Sequence, residues 1–321
     1  MNFEKVYSEY LKFAKKQQKK SSFETLTERF NSHILPYFRD KNIEDLTIQD
    51  ILDWQENILE HNYSNNYNRN LHFLLSGLLT YCCKYYGLNK NVASIVGTFK
   101  KKYEKDKHDF YNLDEFNQFI KCVDDEIYKQ FFNLMFFTGT RPGEAMALRF
   151  SDLQDNYINI TKTIDSHNGR SITPPKTTSS FRKINIDNQL REDLLKLESM
   201  YMKKYDMDFD YYIFGGIKPL APTTINRHKK RACEKAHIRP ITLHQFRHSH
   251  ATLLLNKGIL INEVSRRLGH SKVSTTLDIY THTDLRQEKR VSETLNSIRN
   301  NFFETLTERF KKFILSIKAL L

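Results

Sequence analysis

A chain of 321 residues with 50 lysines and arginines against 38 acidic residues carries a net charge of +12 and a pI near 9.3. Hydrophobic residues make up 39%, enough for two packed cores, so the excess charge is a surface property that favours a polyanionic partner. No run approaches the roughly 18 apolar residues of a membrane span, MNFEKVYSEYLKF has no signal-peptide core, and Cys82, Cys83, Cys122 and Cys233 include no C-x-x-C pair, which disfavours a membrane protein, a disulfide scaffold and a zinc module.

Residues 1–100 read as a helical domain. VYSEYLKFAKKQQ is the first helix, and SSFETLTERFNSHILPYF the second, with Ser21 or Ser22 as N-cap and Pro36 near its end. TIQDILDWQENILE follows with Thr47 as N-cap; YNRNLHFLLSGLLTYCCKYY, the most apolar, closes at Gly87. Charge then replaces the apolar pattern in KKYEKDKHDFYN, so 101–112 reads as a basic linker. A second domain, 113–290, opens with Asn112 capping LDEFNQFIKCV. YKQFFNLMFFTG ends at Gly139, and Pro142 takes the first turn of PGEAMALRF. β-Branched alternation in YINIT (157–161) and RKINI (182–186) predicts a small antiparallel sheet, with Lys176 in or beside its Gly/Pro/Ser-rich connection. DNQLREDLLKLESMYMKKY, TTINRHKKRACEKA, LHQFRHSHATLLLNKG (capped by Thr242, ended by Gly258), INEVSRRLG and VSTTLDIYTH read as helices. The expected fold is therefore mainly α, of α+β type, with a C-terminal helical tail at 291–321. FETLTERF occurs at 23–30 and again, letter for letter, at 303–310. Two solitary copies do not make a repeat architecture. The amphipathic tail is either a docking helix for a neighbouring subunit or, as preferred, a passenger left by duplication.

Six residues of the second domain suit chemistry on a phosphodiester: Arg141, Lys176, His244, Arg247, His270 and Tyr280. Attack on a phosphodiester concentrates charge on oxygens that are already negative, and the planar fork of a guanidinium meets two oxygens at once. Arg247 follows His244 by three residues on one helical face, whereas Arg141 lies at a helix–helix turn, so only the fold can make them converge. His244 and His270 are candidates for proton handling. His244 and His248 have a metal-like spacing, but no third ligand or intervening helical glutamate accompanies them, so no metal and no cofactor is expected. A phenol titrating near about 10 is a poor nucleophile unless neighbouring cations favour loss of its proton. Each residue also has an ordinary reading: a surface ion pair, a solvated amine, one packing tyrosine among 17.

Order and spacing resemble the tyrosine recombinases, the phage and transposon integrases and their Xer-type and Cre-like relatives. TGTRPGEA with the following LRFSDL, LHQFRH, and LGHSKVSTTLDIYTH carry the resemblance, which is most specific over 138–150 and 240–282. It implies that Arg141 and Arg247 clamp the phosphate, that His244 and His270 are the family's two histidines, and that Tyr280, in Y-x-H, is the nucleophile. Lys176, in K-T-x-x-S-x-R, would be the lysine of the family's β-hairpin, with Lys162 and Lys183 as nearby alternatives. His248 and His250 receive no such role. The His270-to-Tyr280 spacing is similar to the integrative phage and transposon branch. The helical N-terminal part looks like a core-site-binding domain. The sequence begins directly in these helices, whereas many phage integrases carry an extra small N-terminal domain that reads arm-type sites, so the resemblance does not carry arm-site binding over.

The resemblance implies a site-specific recombinase that integrates or excises a mobile element through a 3′-phosphotyrosine, without metal or ATP. Its partners would be double-stranded DNA core sites, copies of itself forming a tetramer on paired sites, and accessory bending or directionality factors. Its setting would be the cytoplasm of a bacterial or phage-infected cell. Two alternatives stand beside it: a type IB topoisomerase, and a non-catalytic regulator reading LINEVSRRLGHSKVSTTLDIY as a helix-turn-helix.

Overall fold

A computed structural model describes residues 1–100, 110–165, 171–175, 177–205 and 209–280, with the backbone alone at 278–280. The chain divides into two compact units, Met1–Asp106 and Lys107–Leu321.

The first unit is helical. Asn2 caps α1 (Phe3–Gln17) by accepting from the Lys5 amide. Helix α2 (Lys20–Arg29) runs through one wide π-type turn, Phe30–Ile34, into α3 (Leu35–Phe38). Pro36 has no N–H and its ring crowds the preceding turn, which accounts for the widening there. The expected cap at Ser21 or Ser22 is not used: the chain reverses at Gln18, and α2 begins from Lys19 without a side-chain cap. Thr47 and Asp50 form a reciprocal capping box on α4 (Ile48–Glu60). Ser64 caps α5 (Asn65–Tyr85), and Asn91 caps α6 (Val92–Val96). Their apolar faces enclose Trp54, whose indole N–H donates to the His33 carbonyl at 2.9 Å. Leu26, Phe30 and Ile34, from the first FETLTERF copy and its extension, are buried in this core.

The second unit is built around aromatic packing. Asn112 and Glu115 box the start of α7 (Leu113–Lys121), and Asp125 caps α8 (Glu126–Thr138). Phe116 stacks on Phe136 at 3.8 Å, and Phe132 stacks on Phe246. Tyr111, assigned above to the linker, instead lies in this core: it is 1% exposed, and its hydroxyl donates to the Arg239 carbonyl at 2.6 Å. The rest of that stretch, 101–109, falls outside the described residues. Helix α9 (Pro142–Ala147) leads to β1 (Tyr157–Ile160), which pairs antiparallel with β4 (Arg182–Asn185), Ile160 opposite Arg182. The segment between them is not a plain connection. It holds a second antiparallel pair, β2 (Thr163–Asp165) with β3 (Ser171–Thr173). Helices α10 (Asn188–Lys204), α11 (Pro222–Ala236), α12 (Leu243–Asn256), α13 (Ile261–Leu268) and α14 (Ser274–Tyr280) follow. The tail from 281 onward, with the second FETLTERF copy, is outside the described residues.

Candidate active site

The site is assembled where α8 and α13 end. A helix C-terminus leaves carbonyls unpaired and carries the negative end of the helix dipole, so it attracts cations. At the end of α13, three successive carbonyls are taken by three arginines. Arg267 O accepts from Arg182 Nε at 2.8 Å, Leu268 O from Arg247 Nη2 at 2.7 Å, and Gly269 O from Arg141 Nη2 at 3.3 Å. Arg247, only 1% exposed, also donates through Nη1 to Gly139 O at 2.9 Å, which strings it between the two helix ends. Gly139 makes that approach possible. Its φ is +68°, and an added Cβ would stand 2.6 Å from both His250 and Leu268 side-chain carbons.

One carboxylate serves this cluster. Glu144 is 2% exposed and accepts from the Arg141 amide (2.9 Å), Arg141 Nη1 (2.8 Å), and Arg182 Nη1 and Nη2 (3.2 and 2.8 Å). Burial alone would raise its pKa. The hydrogen bonds and charge of Arg182, then Arg141, outweigh that and hold it below the ordinary carboxylate value. Burial first, then Arg141 and Arg182, pull the Arg247 guanidinium down to about 9, still protonated at neutral pH. Three guanidiniums around one carboxylate leave a net positive pocket.

The histidines enter neutral. His270 is half-buried, with Nδ1 2.8 Å from Thr276 Oγ1; burial, then Arg247 and Arg141, lower it to about 3. His244 meets solvent on one side and packs edge-on against His248 at 5.1 Å. Desolvation, then Arg247 and Arg141, lower its pKa as well. Among the described residues, no three His, Cys, Asp or Glu side chains come together as a metal-ligand set.

Of the six expected site residues, Arg141, Arg247, His244 and His270 thus share one neighbourhood. Tyr280 is the last residue of α14, with only its backbone described, and Lys176 lies outside the described residues. The chain just after it is tied to the site: Thr177 Oγ1 lies 2.8 Å from Ser180 Oγ, which accepts from Arg141 at 3.3 Å. Lys162 is paired with Asp152 at 2.7 Å, and Lys183 lies over the Tyr157 ring at 4.6 Å. Glu144, Ser180 and Arg182 are visible in the sequence only as letters of the quoted motifs. Arg267 and His250 have no assigned part there, although His250 follows Arg247 by three residues on the same helix.

The pattern of the phage integrase family matches residues 109–287, and that of the phage integrase N-terminal SAM-like domain matches residues 2–59. The ICEBs1 integrase of Bacillus subtilis (strain 168) is 28% identical over 309 residues, spanning 93% of this chain and 83% of the relative. Among solved structures, the Tn1549 transposon integrase in complex with transposon right-end DNA superposes with a TM-score of 0.75 at 18% identity, over 92% of this chain and 100% of that one. A lambda integrase tetramer bound to a Holliday junction gives 0.67 at 17% identity, over 87% and 77%.

Proposed function

The chain belongs to the phage integrase family and is a site-specific DNA recombinase of a mobile element, and from that premise we propose that it exchanges strands through a 3′-phosphotyrosine formed on Tyr280. The observation that carries the proposal is the convergence of Arg141 and Arg247 from distant segments onto adjacent carbonyls at one helix end. The surrounding positive charge, incompletely balanced by Glu144, suits a phosphodiester.

In this reading the two guanidiniums bind the non-bridging oxygens and stabilise the charge that builds up in the transition state. His244 and His270, neutral beforehand, offer ring N–H groups to the same oxygens and a ring nitrogen to the phenolic proton. The Tyr280 oxygen bonds to phosphorus, the P–O5′ bond breaks, and its electron pair leaves on O5′, which takes a proton from Lys176. Engagement of Lys162 by Asp152 and of Lys183 by Tyr157 supports Lys176 for that part. Bond energy stays in the phosphotyrosine, so ATP is not needed, and fixed cations take the part that metal ions play in many nucleases. A 5′-hydroxyl from a partner duplex then reverses the step. We assign four protomers to the paired sites, as in the tetramer known for lambda integrase, with accessory factors setting direction inside the bacterial cell.

A nicked suicide duplex spanning an end of the element that carries the gene tests this reading. The parent chain should become covalently attached to DNA in EDTA, and Tyr280→Phe should bind the duplex but form no adduct. An adduct with Tyr280→Phe moves the nucleophile elsewhere, and dependence on a divalent ion defeats the metal-free step. Relaxation of single-site plasmids without any need for two sites would favour a topoisomerase.

A further inference from the structure

Beneath the arginine cluster lies a second connection between the same two helix ends. His250 is 2% exposed on α12, with Nδ1 2.8 Å from the Phe136 carbonyl and Nε2 3.1 Å from Arg267 Nε. A carbonyl only accepts and a guanidinium only donates, so the ring is neutral, with its hydrogen on Nδ1. Arg267 also donates through Nη2 to the Phe137 carbonyl at 3.2 Å. Phe136, Phe137 and Gly139 therefore give their carbonyls to His250, Arg267 and Arg247, three groups from outside α8. On the other side, the backbone that Arg267 anchors is the one whose carbonyls, Arg267 to Gly269, hold Arg182, Arg247 and Arg141.

We propose that His250 and Arg267 are positioning residues: a buried cross-tie that fixes the separation of the α8 and α13 ends, so that Arg247 and Arg141 are aimed at the phosphate before DNA arrives. The inference rests on the recombinase reading above. Neither residue touches the reacting atoms. The tie acts through main-chain carbonyls, and a shift of about 1 Å at such a point is enough to cost on the order of 100-fold in rate. It also accounts for a histidine in the core beside the Gly139 turn, where an apolar side chain would pack but leave the Phe136 carbonyl without its partner.

The test uses the full chain and the nicked duplex of the preceding subsection, measuring covalent capture rate, affinity for the uncleaved duplex and melting temperature. His250→Leu removes both contacts, His250→Gln keeps one donor and one acceptor, and Arg267→Met cuts the tie from its half-exposed side. His250→Leu and Arg267→Met should each slow capture by roughly 10- to 100-fold with affinity nearly unchanged, and the double variant should be no slower than the slower single. His250→Gln should recover most of the rate. A methylphosphonate at the scissile position removes the charge that the arginines serve, so on it the deficits of the Leu and Met variants should shrink to a few-fold; a general folding defect would not. Should His250→Leu fail to fold, Arg267→Met carries the test. Parental rates in both variants, a Gln variant no better than Leu, or deficits of equal size on the methylphosphonate would each overturn the proposal. Tyr280→Phe is run alongside: an adduct there would indict the site reading itself, independently of the tie.

Discussion

Arg141 and Arg247 differ in what the fold loses with them. Arg141 has a side chain 34% exposed, and without it Glu144 keeps both bonds from Arg182. Arg141→Ala should therefore melt near the parent while cleaving slower by about 100-fold or more, an effect of roughly 3 kcal/mol. Arg247→Ala leaves the Gly139 and Leu268 carbonyls buried without a partner, at about 1–3 kcal/mol each, so it should lose stability as well as rate. Urea unfolding of the two variants checks this, and equal stability would show that Arg247 does not bind the two helix ends together. His250 adds a pH dependence. Burial first, then Arg267, lowers its folded pKa from 6.5 to about 3, so between those values the unfolded chain binds the proton and the folded one does not. The stabilisation is complete above the unfolded value and is lost as pH falls through that window, by up to ~1.4 kcal/mol per pH unit. His270 adds in the same direction but less, being half open to solvent. Equilibrium unfolding in that window should show a shallower acid decline for His250→Gln than for the parent; parallel declines would mean that His250 does not govern it.

Among elements, the turn between α8 and α9 carries the greatest demand. An alanine at Gly139 meets a left-handed backbone, worth about 1–2 kcal/mol, and clashes with His250 and Leu268. Gly258, after α12, has φ of +87° and nothing within 4 Å of an added Cβ. Gly258→Ala should pay only the backbone part, whereas Gly139→Ala should be clearly less stable and catalytically crippled. Similar denaturation midpoints for the two would contradict the close packing under the turn. The same contrast between local and long-range causes explains which elements could be read in advance. Thr47, Asn112 and Thr242 cap where expected because a side chain three residues from its target needs no tertiary help. Ser21 and Ser22 do not cap, since the reversal after α1 sets where α2 starts. Strands β2 and β3 have three residues each, too few for an alternating pattern to register, and only their pairing makes them strands.

On the scale of the whole molecule, the +12 charge implies affinity for DNA that falls steeply with salt. It does not say where the DNA lies. The repeated segment is a second matter at this scale. Its first copy is shaped for the core of the helical unit, where Leu26, Phe30 and Ile34 are buried. Leu306, Phe310 and Ile314 repeat those residues in the tail, while Lys318 stands where the first copy has the buried Phe38. Truncation after Asn300 should leave cleavage and recombination largely unchanged and improve solubility, because apolar residues whose sequence matches a segment buried elsewhere in the chain are removed. Cleavage of single sites without assembly of paired-site complexes would instead make the tail an assembly element. Residue types and their spacing, by themselves, determined the helical plan, the polyanionic partner and the set of residues suited to phosphodiester chemistry, because periodicity, charge and motif order are local or additive properties. Only the tertiary structure decided that Tyr111 belongs to a core, that Glu144 faces two arginines, and that His250 lies beneath the site. Each of these depends on segments 38 to 138 residues apart meeting through backbone carbonyls, amides and buried side chains, and a carbonyl leaves no mark in a sequence.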